Sequence, residues 1–254
     1  MVQTDSRSKS NSVVEIDAEG LLTRDLNIRL REATSKGAHR IELRHVCGQR
    51  YIGTDLNKPV EIEIFGTPGN DLGAFMDGPK ITVRGNAQDG CGNTMNNGEI
   101  IVHGHAGDIT GLAARGGKIF IRDGVGYRAG IHMKEYGEKR PALVIGGTAQ
   151  DFLGEYMAGG IVILLGLHST EHKMNFVGTG MHGGVIYIQG ELQNHQLAEH
   201  VAVEELDDYD HQLLDKYIAK YATYFNIPKA QIGGRIFKKL RPVSKRPYSD
   251  LYGH

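Results

Sequence analysis

Aliphatic residues recur two apart along the middle of the chain, each pair set just after a glycine-rich stretch. Ile62/Ile64, Ile81/Val83, Ile100/Val102, Ile119/Ile121, Leu143/Ile145, Val162/Leu164 and Ile186/Ile188 share this register. Residues between and after them are often polar, as at Thr82, His103, Arg122 and Gln189. Alternation with period two places each aliphatic pair on one face of a short strand and its neighbours on the other. Repetition near every 20 residues means stacked coils of one supersecondary unit. With strands about 4.8 Å apart, the pairs become aliphatic ladders inside a solenoid.

The glycines repeat with the ladders. The strings beginning at Gly85, Gly104 and Gly147 share the pattern Gly-x3-Asp-x2-Gly-x5-Gly. This sets Gly85, Asp89, Gly92 and Gly98 in register with Gly104, Asp108, Gly111 and Gly117, and with Gly147, Asp151, Gly154 and Gly160. A coil this short turns sharply more than once, and glycine takes φ > 0 without a Cβ penalty. These twelve residues are therefore expected to build the turns.

Two coil architectures compete. A left-handed hexapeptide helix needs an aliphatic residue at every corner, but Arg84, Cys91, Asn97 and His103 stand just before the glycines. Units of uneven length, Gly124 to Gly147 and Gly166 to Gly190, also favour irregular turns with surface insertions. The expected fold is mainly β, a right-handed parallel β-helix of about seven coils with helical N- and C-terminal caps. Residues 1–14 are expected as a disordered polar tail, 15–47 as a helix-and-strand cap, 48–190 as the β-helix, 191–226 as a helical cap and 227–254 as a basic tail. Leu22, Leu26, Leu30 and Ala33 form one helical stripe ending near Gly37. Asp207 and Asp208 precede a second, with Leu214, Tyr217, Ile218, Tyr221 and Phe225, that should stop before Pro228.

Charge changes this picture only at the C-terminus. The whole chain sits at −1, which argues against general attraction to nucleic acid or membrane. Beyond Ile227, however, Lys229, Arg235, Lys238, Lys239, Arg241, Lys245 and Arg246 face only Asp250. Such a tail folds back on its own acidic surface, docks on an acidic partner subunit, or binds nucleic acid, although no recognition motif accompanies the charge. No apolar run approaches the roughly 20 residues that span a bilayer. The polar start MVQTDSRSKSNS lacks a signal-peptide core, so a cytoplasmic location is expected.

Candidate chemistry is sparse. The Asp89, Asp108 and Asp151 ladder offers one carboxylate per coil, whereas a calcium ion takes six to eight oxygens, so turn-holding is the expected role. The histidines lack metal spacing, and two cysteines, Cys47 and Cys91, make neither a disulfide framework nor a zinc set. No nucleophile elbow or Walker sequence occurs, and GTGMHGG at 178–184 runs into a strand rather than a helix N-terminus. No catalytic, cofactor-binding or metal-binding residue is expected on this chain. The densest polar segment, 126–139, supplies Tyr127, Arg128, His132, Lys134 and Glu135 as candidate interface residues, with Lys238, Lys239 and Arg241 from the tail.

The run GNAQDGCGNTMNNGEIIVHG, then GEYMAGG at 154–160, then GTGMHGGVIYI at 178–188, resembles the C-terminal Gly-x-Gly-x-Gly domain of the glutamate synthase large subunit. The likeness spans roughly residues 15–190. It implies a β-helix of the split-subunit type, a non-catalytic scaffold between a glutamine amidotransferase subunit and a synthase subunit that carries FMN and an iron–sulfur cluster. Val2 stands where an amidotransferase nucleophile would follow the initiator Met, and two cysteines cannot hold a cluster, so both chemistries are expected on partners. The same β-helix type is similar to the C-type β-helix subunit of formylmethanofuran dehydrogenase and of formyltransferase/hydrolase complexes, and to a subunit of N-methylglutamate synthase. A homo-oligomer stays open. A sugar-cleaving β-helix enzyme would show paired carboxylates across a groove, and none is evident in the sequence.

Overall fold

The computed structural model describes residues 13–167, 169, 171–232 and 236–243. Nine strands follow one another along the chain: β1 (Val13–Asp17), β2 (Arg40–Cys47), β3 (Glu61–Thr67), β4 (Asp77–Val83), β5 (Asn97–Val102), β6 (Lys118–Ile121), β7 (Ala142–Ile145), β8 (Ala158–Leu164) and β9 (Gly183–Gln189). Helix α1 (Thr23–Ser35) separates β1 from β2. Each strand pairs in parallel with the next, so the chain returns to the same end of the sheet after every strand. One strand per return makes a β-solenoid.

The ladders read from the sequence are the register of the sheet. Ile62 pairs with Ile81, then Ile100, Ile119, Leu143, Val162 and Ile186. Ile64 starts the second column, through Val83, Val102, Ile121, Ile145 and Leu164 to Ile188. Ile41 and Leu43 extend both columns upward, and Val14 and Ile16 extend them again. No ladder side chain from Ile41 to Ile188 exceeds 2% exposure. Burying one such side chain is worth about 1.5–3 kcal/mol against leaving it in water, so the columns are the main source of stability.

The turn opposite each strand is built alike in seven coils. Three alternate residues take left-handed φ between +49° and +77°, and the middle one is always glycine: Gly53, Gly73, Gly92, Gly111, Gly130, Gly154 and Gly178. A Cβ on Gly154 would stand 2.5 Å from Ile186 Cδ1, the ladder residue of the next coil; Gly53, Gly73, Gly92, Gly130 and Gly178 likewise meet a ladder or interior side chain at 2.3–3.1 Å, whereas Gly111 meets Leu143 at an ordinary 3.6 Å. Gly85, Gly104 and Gly147 do a different job. Their φ is not left-handed, and each lies where a Cβ would strike the preceding coil.

Helix α1 sends Leu26 and Leu30 into the ladder core, and Asn27 Nδ2 and Arg31 Nη2 donate to the carbonyls of Arg50 and Thr54 in the first coil. The C-terminal half departs from expectation. Helix α2 (Asp208–Phe225) does not close the end of the solenoid; it lies across the outer face of β5–β9. Ile101, Phe120, Val144, Ile163 and Tyr187 alternate with the ladder residues and form an apolar row on that face. They pack against Leu214, Tyr217, Ile218, Tyr221 and Phe225. Asp207 and Asp210 form a reciprocal capping box at the helix start, and Asn226 ends it at φ +53°.

The far edge of the sheet is closed by strands. β10 (Val201–Glu204) and β11 (Phe237–Pro242) add to it in the order β9-β11-β10, both pairings antiparallel, and α3 (Lys229–Ile232) precedes β11. Leu240 aligns with Ile186, fully buried, and continues the ladder core. The segment expected as a basic tail is thus a sheet strand over 237–242, and β1 begins inside the segment expected as a polar tail. Residues 1–12, Arg235, Lys245 and Arg246 lie outside the described residues.

Substituting Gly154→Ala combines a left-handed penalty of about 1 kcal/mol with the clash against Ile186, so a loss of roughly 2–4 kcal/mol is expected. Gly37 has φ +87° but nothing within 4 Å of its Cβ direction, so Gly37→Ala should cost only the backbone share of about 1 kcal/mol. Thermal unfolding of the two variants checks the difference, and equal shifts would contradict the packing assignment. In the same assay Ile119→Asp and Val162→Asp should leave no folded solenoid, because each sets an unpaired charge in the ladder.

Candidate functional site

The aspartates expected to hold turns act between coils rather than within them. Asp89 Oδ1 accepts the Asp108 N–H at 2.9 Å, Asp108 Oδ1 accepts the Tyr127 N–H at 2.9 Å, and Asp151 Oδ1 accepts the Asn175 N–H at 2.8 Å. Asp89 and Asp108 each sit where the residue before the donor has no room for a Cβ, as at Gly126, 2.0 Å from Asp108 Oδ1. The backbone amides of the turns also bond from coil to coil: His132 N–H donates to Glu155 C=O and Gly154 N–H to Ala129 C=O. This edge of the solenoid is stiff.

Segment 126–139 divides between two places. Tyr127, Arg128 and His132 stand exposed on the stiff edge. There Arg128 pairs with the buried carboxylate of Glu155 and lies over the Phe152 ring, 4.6 Å from its centroid. His132 stacks on Tyr156 at 5.3 Å, and Phe152 stacks on Phe176 at 4.9 Å. Lys134 is exposed beside them. Beyond it the chain makes a tight hairpin closed by mutual Tyr136 and Lys139 backbone bonds.

Glu135 belongs to the second place. It lies 2.9 Å from Arg140 Nε and accepts the Gly160 N–H. With Arg140, Tyr187, Tyr209, Asp210, Lys239 and Arg241 it lines a polar cavity of about 340 Å³. The fold thereby brings the insertion and the basic segment together. Lys239, however, is 7% exposed and is taken up inside the chain. Its Nζ donates to Asp210 Oδ2 at 2.6 Å, with Asp207 at 3.7 Å and Glu204 at 3.9 Å, so it is not an exposed interface residue. Lys238 Nζ is also engaged, on the Leu192 carbonyl, while Arg241 remains exposed.

Two carboxylates anchor α2. Burial alone would push Glu99 up, but hydrogen bonds from Lys220 Nζ and Tyr224 Oη and the charge of Lys118 outweigh it and lower its pKa. Asp210 behaves alike: desolvation is outweighed by Lys239, the Tyr187 hydroxyl and the Asp207 amide. Burial, with the bond to Asp210, in turn pushes the Tyr187 phenol upward. Cys91 sits in the ladder core, where desolvation raises its thiol to about 12. Asp17, Glu19 and His45 bring ligand atoms within 4.8 Å of one another, all exposed. The bond to Asp17 raises the His45 pKa, which favours an imidazolium ion pair over a metal ligand.

A family model described as GXGXG motif matches residues 23–244. The chain belongs to the GXGXG motif family. This is the domain type found at the C-terminus of the glutamate synthase large subunit. Among curated proteins the chain is 48% identical over 255 aligned positions to an uncharacterized protein of Methanocaldococcus jannaschii, covering 96% of this chain and 98% of the relative. Among solved structures it is similar to a chain of the formyltransferase/hydrolase complex of Methylorubrum extorquens, determined with methylofuran. The TM-score is 0.60 at 15% identity, over 92% of this chain and 96% of that one. The likeness extends to the fold. It runs nearly the length of both chains, so the architecture this GXGXG protein shares is not confined to its coils.

Sequence reasoning missed Glu155, Phe152, Tyr156 and Phe176. Their signal is spacing: Phe152 and Phe176 lie 24 residues apart, one enlarged coil, as do Arg128 and Phe152. Replacing Asp108 by Ala should cost about 1–2 kcal/mol by orphaning the Tyr127 amide, while Asp108→Asn keeps an acceptor and most of the stability. Depressed carboxylates stabilise the fold above their unfolded values, here 4.5 for Glu99 and 3.8 for Asp210, and that share is lost as pH falls through the lower folded values. Acid titration should therefore loosen α2 below those values, seen as loss of the near-ultraviolet tyrosine signal. Glu99→Gln with Asp210→Asn should flatten that transition.

Proposed function

We propose that this chain is a non-catalytic scaffold subunit of a glutamate-synthase-type complex. It would hold a glutamine amidotransferase subunit against a synthase subunit that bears FMN and an iron–sulfur cluster, in a cytoplasmic assembly. The observation that carries the reading is the family match over 23–244, together with where the chain's side chains are spent. Its interior is a column of aliphatic side chains, its aspartates tie coil to coil, and its ion pairs at Asp210 and Glu99 fasten α2. The right-handed coil of this reading accords with the preference of parallel crossovers for that hand. A stiff rod with outward aromatic and charged edges suits the task of setting two partners at a fixed separation.

A second reading is favoured by the fold likeness to the formyltransferase/hydrolase complex. In that case the chain would be the β-helix subunit of a formyl-type complex, with a subunit of N-methylglutamate synthase as a further variant.

Gentle purification of the tagged chain from its native host, followed by mass spectrometry, separates these readings. A glutamine amidotransferase and a flavin/iron–sulfur protein in stoichiometric yield are expected. Formyltransferase and amidohydrolase-like partners would move the chain to the second assembly. Recovery of the chain alone would remove the scaffold role.

A further inference from the structure

We propose that the edge built by Tyr127, Arg128, His132, Phe152, Tyr156 and Phe176 is the docking surface for a partner subunit presenting carboxylates among apolar side chains. The proposal rests on the scaffold reading and names the place on the rod where a partner binds.

Exposure is the first argument. Tyr127, Tyr156 and Phe176 are 48%, 46% and 53% exposed on consecutive coils. Contiguous exposed aromatics of this kind mark interaction sites, and Tyr and Arg are the residue types that dominate interface energies. Rigidity is the second. Arg128, His132, Phe152, Tyr156 and Phe176 all occupy left-handed positions on coils tied together by backbone bonds. Their rings are stacked before any partner arrives, as Phe152 on Phe176 and His132 on Tyr156. A Cβ at Gly180 would stand 2.4 Å from Tyr156 Cδ1, so the next coil leaves the space in which that ring lies. Side chains already immobilised lose little freedom on binding.

Charge identifies the partner. The carboxylates of this edge are committed: Glu155 is buried against Arg128, and Asp108 and Asp151 accept the Tyr127 and Asn175 amides. Arg115 and Lys134 stand at equivalent positions of adjacent coils, their amides donating to Met95 and Ala114 carbonyls. Both are exposed, and among the described residues neither makes an ion pair. Arg128 keeps donors beyond the one used by Glu155. Cationic donors without an ion-pair partner among the described residues thus stand on the same edge as apolar rings, which complements a protein face that offers carboxylates among apolar side chains. Single-stranded nucleic acid also stacks on aromatics, but it binds along a continuous cationic groove, and a chain with a net charge of −1 supplies no such general attraction for a polyanion.

Carbodiimide treatment of the complex purified from the native host joins lysine amines directly to carboxylates in contact with them. The expected result is a cross-link between Lys134 and an aspartate or glutamate of a co-purifying subunit, absent in Lys134→Gln. The double variant Tyr156→Asn, Phe176→Asn keeps side chains that tolerate left-handed φ, and should melt like the parent while losing that subunit at least tenfold. Tyr51→Asn, at the other end of the rod, should retain it. If the subunits stay with the double variant and the cross-links map elsewhere, the docking site is overturned while the scaffold reading stands. If the parent chain arrives with no subunit, both fall. Bound material released by nuclease would replace the protein partner with a nucleic acid and overturn the proposal.

Discussion

Everything in this fold depends on a close approach between a left-handed glycine and an aliphatic side chain one coil away. At Gly154 the ladder residue Ile186 fills the space that a Cβ would take, and its methyl therefore packs directly on backbone. Repeated at six of the seven turns, with Gly111 in ordinary contact at the other, this packing sets the thickness of the coil to that of one aliphatic layer. The turn amides, which any sharp corner would leave unpaired, then find carbonyls on the neighbouring coils. Ladder packing and amide satisfaction are two outcomes of the same geometry. A larger residue at the middle position disturbs both together.

The outer face obeys a second constraint. From β2 to β4 the residues opposite the ladder are Glu42, Glu63 and Thr82, and Arg40, Arg44 and Arg84 close ion pairs over them in water. From β5 onward the same column turns to Ile101, Phe120, Val144, Ile163 and Tyr187, and it must be covered. Helix α2 covers it. The Tyr221 hydroxyl reaches the Arg122 carbonyl at 2.6 Å, which it can do because residue 146 is glycine: a Cβ there would fall 1.7 Å from that oxygen. Lys220 and Tyr224 meet Glu99 on one flank, and Lys239 and Tyr187 meet Asp210 on the other.

Much of the solenoid was legible because its physics is local and periodic. An aliphatic pair two residues apart after each glycine run specifies the strand, its inward face and its register at once, and all seven pairs align in the sheet. The position of α2 was written in the sequence too, in the apolar residues between the ladder positions of β5–β9, but reading only the inward pair left them unused. Strands β10 and β11 were harder to see. β11 pairs with strands tens of residues away, and the FKKLRP segment reads as charge before it reads as strand, since the residue it adds to the ladder core is Leu240 alone. The aromatic edge was hidden by the two enlarged coils, which shift the spacing from 19 residues between Ile109 and Arg128 to 24 between Arg128 and Phe152.

Helix α2 also changes how the rod behaves as a mechanical object. A solenoid whose coils touch only their neighbours is a one-dimensional chain, in which a local opening can start anywhere and stay local. An 18-residue helix fastened across five successive strands couples coils that otherwise never meet. Opening any one of β5–β9 then requires releasing a contact shared with the other four. Strands β2–β4 lie outside that span, so their backbone amides should exchange with solvent through smaller and less costly fluctuations than those of β5–β9. The molecule is a rod with one stiffened half and one half free to breathe.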